Sequence, residues 1–467
     1  MHNEVTRGRL LGIKEINELV GDVPPNYVIL LEGPPGTGKT SFALATVYRN
    51  VVERGCKAVY VVLNEDCRKL VSVGRSIGYD LGSLNNSVDI IECPTVSDEY
   101  LVDMITEEVS KRILSGYNLV VIDSVTPILK VLGTYSKKRA WLHTVVYKIA
   151  SAHEVMVILI ADTLLKDDPD ISLLEYLADV VIEMNYNPKS VFPRWLRIKK
   201  FRTRPALPTP IYFTLSSDGI KPINLVSKEL VRKVRRRRKE IVIDSPIVKK
   251  LLGPSLKPGT QVGIVIKEPA TGLGYFHQYL VLKLALEALT RGVRVGIAYY
   301  GSSRKHVLKE EEVASKLLRD KLTIVQVDFT GRQIPHHLVK DIDKPEDIDV
   351  LIVTGYEKLT EFYGIEEVNR MIATYHETDS SLGVITFRIY RISPHTPQAP
   401  SSIYSMSDVV IEVTLNEERG CFNLRVVKGA HARRPITILD TELEPAVMEL
   451  RRKLEELVGF EVLPRGV

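Results

Sequence analysis

The chain has 467 residues, 45% of them hydrophobic, and a formal net charge of +5. That length exceeds one ordinary core and suffices for two domains. So mild a charge does not by itself point to nucleic acid, and no apolar run reaches the roughly 18 residues of a membrane span, so membrane insertion is not expected.

The opening residues Met1-His2-Asn3-Glu4 lack the basic and apolar regions of a secretory signal. The four cysteines, Cys56, Cys67, Cys93 and Cys421, form no CxxC pair. This spacing argues for a reducing, cytoplasmic setting without a disulfide frame or zinc site. The ten histidines contain no HExxH, and the adjacent pair His336-His337 has no neighbours at metal spacing.

The first apolar run, Tyr27-Val28-Ile29-Leu30-Leu31, leads into Gly33-Pro34-Pro35-Gly36-Thr37-Gly38-Lys39-Thr40 and then Ser41. Strand, glycine-rich loop and helix in that order form a phosphate-binding P-loop. Its backbone N–H groups and the helix N-terminus would face phosphate oxygens. Lys39 would reach the β- and γ-phosphates of ATP, and the Thr40 hydroxyl would face Mg²⁺. A helical pattern fills 39–53, and a buried strand is expected over 58–63. Asn64-Glu65-Asp66 follows that strand. Glu65 is the candidate general base for water, and an ordinary surface turn is the competing reading.

Helical patterns over 98–114 and 138–153 flank an apolar strand at 119–122, and another strand is expected at 155–160. Asp123 ends the 119–122 strand, where a Mg²⁺ ligand is needed. A turn cap before Thr126-Pro127 is the alternative. Farther on, Lys199-Lys200-Phe201-Arg202-Thr203-Arg204 lies on a late strand. Alternation sets Lys200, Arg202 and Arg204 on one face. That face is either solvated or able to reach a neighbouring subunit's γ-phosphate.

Residues 228–240 carry eight basic side chains among thirteen. Ser245-Pro246, Gly253-Pro254 and Pro258-Gly259 follow, and loop chemistry of this kind marks a boundary. The expected organisation is a first domain over 1–227, a basic linker over 228–253 and a second domain over 254–467. Strands are expected in the second half at 262–266, 293–298, 322–327, 350–353 and 383–386, with a C-terminal helix over 444–457 that has Pro445 in its first turn. Alternating strands and helices give α/β architecture: two mainly parallel sheets covered by helices.

The halves echo each other. Asp179-Val180-Val181-Ile182-Glu183 returns as Asp408-Val409-Val410-Ile411-Glu412. Leu196-Arg197…Lys200…Arg204-Pro205 returns as Leu424-Arg425…Lys428…Arg434-Pro435, and Arg54-Gly55 as Arg291-Gly292. Echoes in one order at a separation of about 230 residues imply duplication.

Together these residues resemble the KaiC branch of the RecA/RadA superfamily of P-loop ATPases, in two tandem RecA-like copies. Gly12-Ile13…Glu18-Leu19-Val20-Gly21 is similar to the family's opening stretch, and 31–40 to its P-loop. Val121-Ile122-Asp123-Ser124 is similar to its Mg²⁺ strand, and Lys200-Phe201-Arg202 to its K-x-R strand. Pro210-Ile211-Tyr212-Phe213…Asp218-Gly219-Ile220 is similar to its closing stretch. The resemblance implies ATP and Mg²⁺ bound between subunits of a homo-oligomeric ring, commonly hexameric, with Lys200 and Arg202 acting in trans. An archaeal source fits it.

Two departures matter. The family's pair of glutamates is here Asn64-Glu65, which bears on turnover more than on binding. In the second half, setting Glu268 against Glu32 puts Tyr275 in the place of Lys39 and Phe276 in that of Thr40, and the strand Val350-Leu351-Ile352-Val353 is followed by Thr354 where the first half has Asp123. A site without cation or metal ligand leaves phosphate charge uncompensated, so this half reads as a pseudo-ATPase.

Three functions remain: a slow regulatory ATPase whose assembly or protein partner depends on ATP, a DNA-dependent recombinase-like ATPase, and an ATP-binding interaction protein with negligible turnover. The basic run motivates the second, but it lacks interleaved aromatics for base stacking, so DNA is not the favoured partner.

Overall fold

The computed structural model describes residues 8–63, 65–84, 86–93, 98–163, 168–267, 274–300, 322–327, 348–429 and 435–458. Met1 to Glu4, Asn64, residues 268–273, His336-His337 and Arg434 lie outside the described residues. So does the side chain of Tyr275. The chain divides into two compact units, residues 1–188 with 193–227, and residues 189–192 with 228–467.

In the first unit, helix α1 (Lys14–Val20) precedes β1 (Val28–Gly33), α2 (Lys39–Arg54), β2 (Ala58–Leu63), α3 (Cys67–Ser76) and β3 (Val88–Cys93). Next come α4 (Glu99–Leu114), β4 (Leu119–Asp123), α5 (Thr126–Leu132), α6 (Tyr135–Trp141), α7 (Lys148–His153), β5 (Met156–Asp162) and α8 (Pro169–Leu177). Strands β6 (Val180–Tyr186), β7 (Arg194–Phe201), β8 (Leu207–Ser216) and β9 (Gly219–Pro222) close the unit. The sheet order is β3-β2-β4-β5-β1-β6-β7-β8-β9. Strands β3 through β6 in that order pair in parallel, and the remaining pairs are antiparallel.

The sheet is buried on both faces, which is why its parallel strands read as unbroken apolar runs. On one face Ile29, Leu31, Val62 and Val121 pack with Phe42 and Leu44 of α2. On the other, Leu30, Val61, Val120 and Leu159 pack with Ile105 of α4 and Leu129 of α5. The single helix expected over 138–153 is instead α6, a π-helical turn over Leu142–Tyr147, and α7. An apolar pattern records which face is buried, and a one-residue bulge in the helical ladder leaves that pattern intact.

The second unit begins with α9 (Lys228–Arg235), β10 (Ile241–Val242), α10 (Pro246–Leu252) and β11 (Ser255–Leu256). Its sheet is built from β12 (Gln261–Lys267), β13 (Val295–Tyr300), β14 (Leu322–Val327), β15 (Val350–Thr354), β16 (Ile385–Ile392), β17 (Val409–Asn416), β18 (Cys421–Lys428) and β19 (Ile436–Leu439). Helix α11 (Gly274–Leu289) follows β12. The order is β14-β13-β15-β16-β12-β17-β18-β19, which repeats the first sheet strand for strand up to its last member. Both units are thus RecA-like α/β sheets flanked by helices.

Residues 228–253 are not a plain linker. Ile241, Ile243, Val248, Leu251 and Leu252 join the second core. Arg235 donates to the carbonyls of Ser380 and Ser381, and Arg238 to that of Leu382, at the C-terminal end of the helix Ile365–Leu382. Cations there complement the helix dipole and satisfy its last carbonyls. Charge density alone gives no sign of this, because the acceptors lie about 145 residues away in sequence.

The echoed residues perform the same tasks in both units. Asp179 accepts the Val28 N–H at 2.9 Å, and Asp408 accepts the Gln261 N–H at 2.8 Å. Lys200 holds the carbonyls of Glu175 and Tyr176, and Lys428 those of Tyr404 and Ser405.

Candidate functional site

Strand β1 lies between β5 and β6 and delivers its last residue to the C-terminal edge of the parallel sheet. Ligands of open α/β sheets bind at that edge, where the strand order reverses. The chain turns at Gly33, whose φ of 151° and 2.0 Å clearance between an added Cβ and the Met184 carbonyl admit only glycine. Gly38 caps α2 in the left-handed region, at φ 105°. The buried Thr37 hydroxyl donates to the Pro34 carbonyl at 3.0 Å, which pins the loop between these glycines.

Lys39, the first residue of α2, is 6% exposed. Its ammonium donates to the Gly33 and Pro34 carbonyls at 2.7 and 2.8 Å and pairs with Asp162 at 3.0 Å. Thr40 donates to Asp123 Oδ2 at 2.9 Å, and Tyr60 of β2 donates to the same oxygen at 2.8 Å. Burial pushes the Asp123 carboxyl up, the two hydroxyls pull it back, and the charges of Glu65 and Asp162 raise it further. Glu65 is half in solvent and pairs with Lys69 at 2.6 Å, one helical turn on.

Pro35, Gly36, Gly38, Lys39, Thr40, Ser41, Glu65, Asp123 and Asp162 line one cleft of about 540 Å³, together with Ser124, Thr126 and Lys130. The P-loop, the candidate base and the candidate metal ligand therefore share one space. Lys200 and Arg202 do not line it. Lys200 caps the end of α8, and Arg202 pairs with the buried Asp179 at 3.0 Å. Lys199 instead reaches the P-loop's lead strand, bonding to Glu32 at 2.9 Å and also to Glu175. Burial raises the Glu32 carboxyl to about 7 against the pull of Lys199.

Sequence reasoning missed Asp162 and Tyr60. Asp162 ends the apolar strand β5 just as Asp123 ends β4, a signal that was available. Tyr60 gave none, since an aromatic in a buried strand reads as core.

Among the described residues, the second unit differs at the positions that correspond to Lys39, Thr40, Asp123 and Asp162. Asn50 accepts the Leu10 N–H at 2.9 Å, and Glu287 accepts the Asp244 N–H at 2.6 Å. Each lies five residues before a left-handed glycine, Gly55 or Gly292. On this register Phe276 stands in the place of Lys39 and His277 in that of Thr40, one residue from the alignment anchored on Glu268. Contacts agree: His277 bonds to Thr354 at the end of β15, as Thr40 bonds to Asp123 at the end of β4. Phe276 is fully buried and stacks on Phe422 at 4.6 Å. Arg391 stands in the place of Asp162 and pairs with Glu357 at 3.3 Å. Burial and Arg391 lower His277 to about 3, so it is neutral at physiological pH.

Residues 11–226 match the family model for the KaiC ATPase. The circadian clock oscillator protein KaiC of Picosynechococcus is 25% identical over 317 residues, covering 64% of this chain and 60% of that protein's length. KaiC of Synechococcus elongatus is 22% identical over 441 residues, covering 82% of this chain and 81% of that protein. The DNA repair and recombination protein RadB of Methanosphaera stadtmanae is 24% identical over 214 residues, covering 43% of this chain and 90% of that protein. Among the described residues no helix is long and apolar enough to cross a membrane. With the P-loop cleft set at the edge of a RecA-like sheet, the chain carries a KaiC-like ATPase domain of the RecA/RadA superfamily.

Proposed function

We propose that the first unit binds MgATP and hydrolyses it slowly, and that ATP occupancy controls self-assembly into a ring-like oligomer or docking of a protein partner. The observation that carries this reading is the 2.9 Å bond from Thr40 to Asp123 in the cleft that also holds Lys39 and Glu65. In this reading the loop from Gly33 to Ser41 cradles the phosphates through its N–H groups, and Lys39 meets the β- and γ-phosphates.

A hydroxyl and a carboxylate in contact form an oxygen donor set of the kind a hard divalent cation takes. Thr40 and Asp123 would hold Mg²⁺, which when bound offsets phosphate charge. Glu65 polarises the attacking water after releasing Lys69. Lys200 and Arg202 each serve their own subunit through Glu175, Tyr176 and Asp179. A role in trans requires them to exchange those partners for a neighbour's phosphate.

The second unit acts in this reading as a pseudo-ATPase that offers contacts. Phe276, His277 and Thr354 supply neither the cation nor the carboxylate of a MgATP site.

A second reading, a DNA-dependent ATPase, draws on Arg232, Lys233, Arg236 and Arg237, which are exposed on and just beyond α9, and on the relative named RadB. ATP hydrolysis by the full chain, with and without single-stranded DNA, separates the two while light scattering follows assembly. DNA-indifferent turnover with ATP-dependent assembly supports the switch; turnover that DNA stimulates supports the second reading.

A further inference from the structure

We propose that Tyr60 is a positioning residue for the divalent-cation site, acting through Asp123. The inference rests on the MgATP reading of the cleft. Tyr60 lies in the middle of β2 and is fully buried on the face that packs against α2. It is the polar-tipped residue in a strand that otherwise reads Ala58, Val59, Val61, Val62 and Leu63. Its hydroxyl crosses to β4, the neighbouring parallel strand, and donates to Asp123 Oδ2 at 2.8 Å.

That oxygen also receives the Thr40 hydroxyl at 2.9 Å. An ionised carboxylate only accepts hydrogen bonds. Two donors from different elements, one from a strand and one from the first turn of α2, therefore fix the direction of the Asp123 carboxylate. They leave Oδ1 outside this pair of bonds. Groups that hold a metal ligand by hydrogen bonding set its orientation, and their loss typically lowers metal affinity by about 10-fold or more. Glu65 and Asp162 are the other carboxylates facing the site, and both are more exposed than Tyr60. Neither can replace a phenol as donor while ionised.

Tyr60→Phe keeps the ring and its packing and removes only the hydroxyl. The probes are a fluorescent ADP titrated in EDTA, then Mn²⁺ titrated into the protein–ADP complex and followed by electron paramagnetic resonance. The expected result is unchanged ADP affinity in EDTA, Mn²⁺ affinity reduced about 10-fold, and an altered Mn²⁺ line shape. Equal Mn²⁺ affinity and line shape in the two proteins would overturn the proposal. So would a matching loss of ADP affinity in EDTA, which would mean the hydroxyl supports the whole cleft. If the unsubstituted protein binds ADP with no contribution from Mn²⁺, the MgATP reading itself fails, a result distinct from either.

Discussion

Lys39 and Asp162 form an ion pair at 3.0 Å inside the cleft, with the lysine almost fully buried and the aspartate about one-third exposed. Phosphate oxygens that take up Lys39 must compete with this carboxylate and meet its charge. Asp162→Asn keeps the shape and removes the competitor. Its ATP affinity, measured by titration calorimetry without divalent ions, should rise about 5-fold or more, since removing about 1 kcal/mol of like-charge repulsion is worth that factor. Unchanged or weaker affinity would show that Asp162 holds Lys39 in place rather than opposing phosphate.

Asp179 joins β1 to β6 through the Val28 N–H and pairs with Arg202. Asp179→Ala leaves the buried Val28 N–H without its acceptor and removes the Arg202 pairing. The expected loss is about 1–3 kcal/mol of first-unit stability in chemical denaturation. Asp408→Ala removes the equivalent bond to Gln261 and should destabilise the second unit in the same way. A change below about 0.5 kcal/mol, the usual size at an unremarkable surface position, would contradict the assignment.

Glu32 gives a pH test. Burial raises its carboxyl from 4.5 to about 7, above its value in the unfolded chain. Between those values the folded protein keeps a proton that the unfolded chain has lost. The stability this contributes is complete below pH 4.5 and falls as pH rises through 7. Glu32→Gln abolishes that titration. The melting temperature of the unsubstituted protein relative to the variant should therefore decline across this window, and a constant difference would show that Lys199 keeps Glu32 ionised throughout.

How much was legible in advance follows from range. The positions of Lys39 and Thr40 at the start of α2 and of Asp123 at the end of β4 were readable, because a strand–loop–helix pattern places the first two and an apolar strand end the third, and the apolar runs of β1, β2 and β4 announced a sheet covered on both faces. The strands of the second half were legible for the same reason. Partners chosen across the fold were not. Lys200 looked like a cation available to a neighbour, yet it meets carbonyls of α8, and Arg238 looked like linker charge, yet it caps a helix far along the chain. The second unit's register was misplaced by the Glu268 anchor, although the echo of Arg54-Gly55 in Arg291-Gly292 already sets Phe276 against Lys39. A surviving glycine pair is a poor anchor once the loop's chemistry has gone, whereas the His277–Thr354 contact and the Glu287 bond are visible only in three dimensions.

One MgATP site per chain, in the first unit, is the central proposal. Equilibrium binding of ATP in the presence of Mg²⁺ tests this most directly, with the full chain compared against Lys39→Ala. The expected result is one ATP per chain, lost on that substitution. Two ATP per chain, or one retained by Lys39→Ala, would contradict it and place a working site among Phe276, His277 and Thr354.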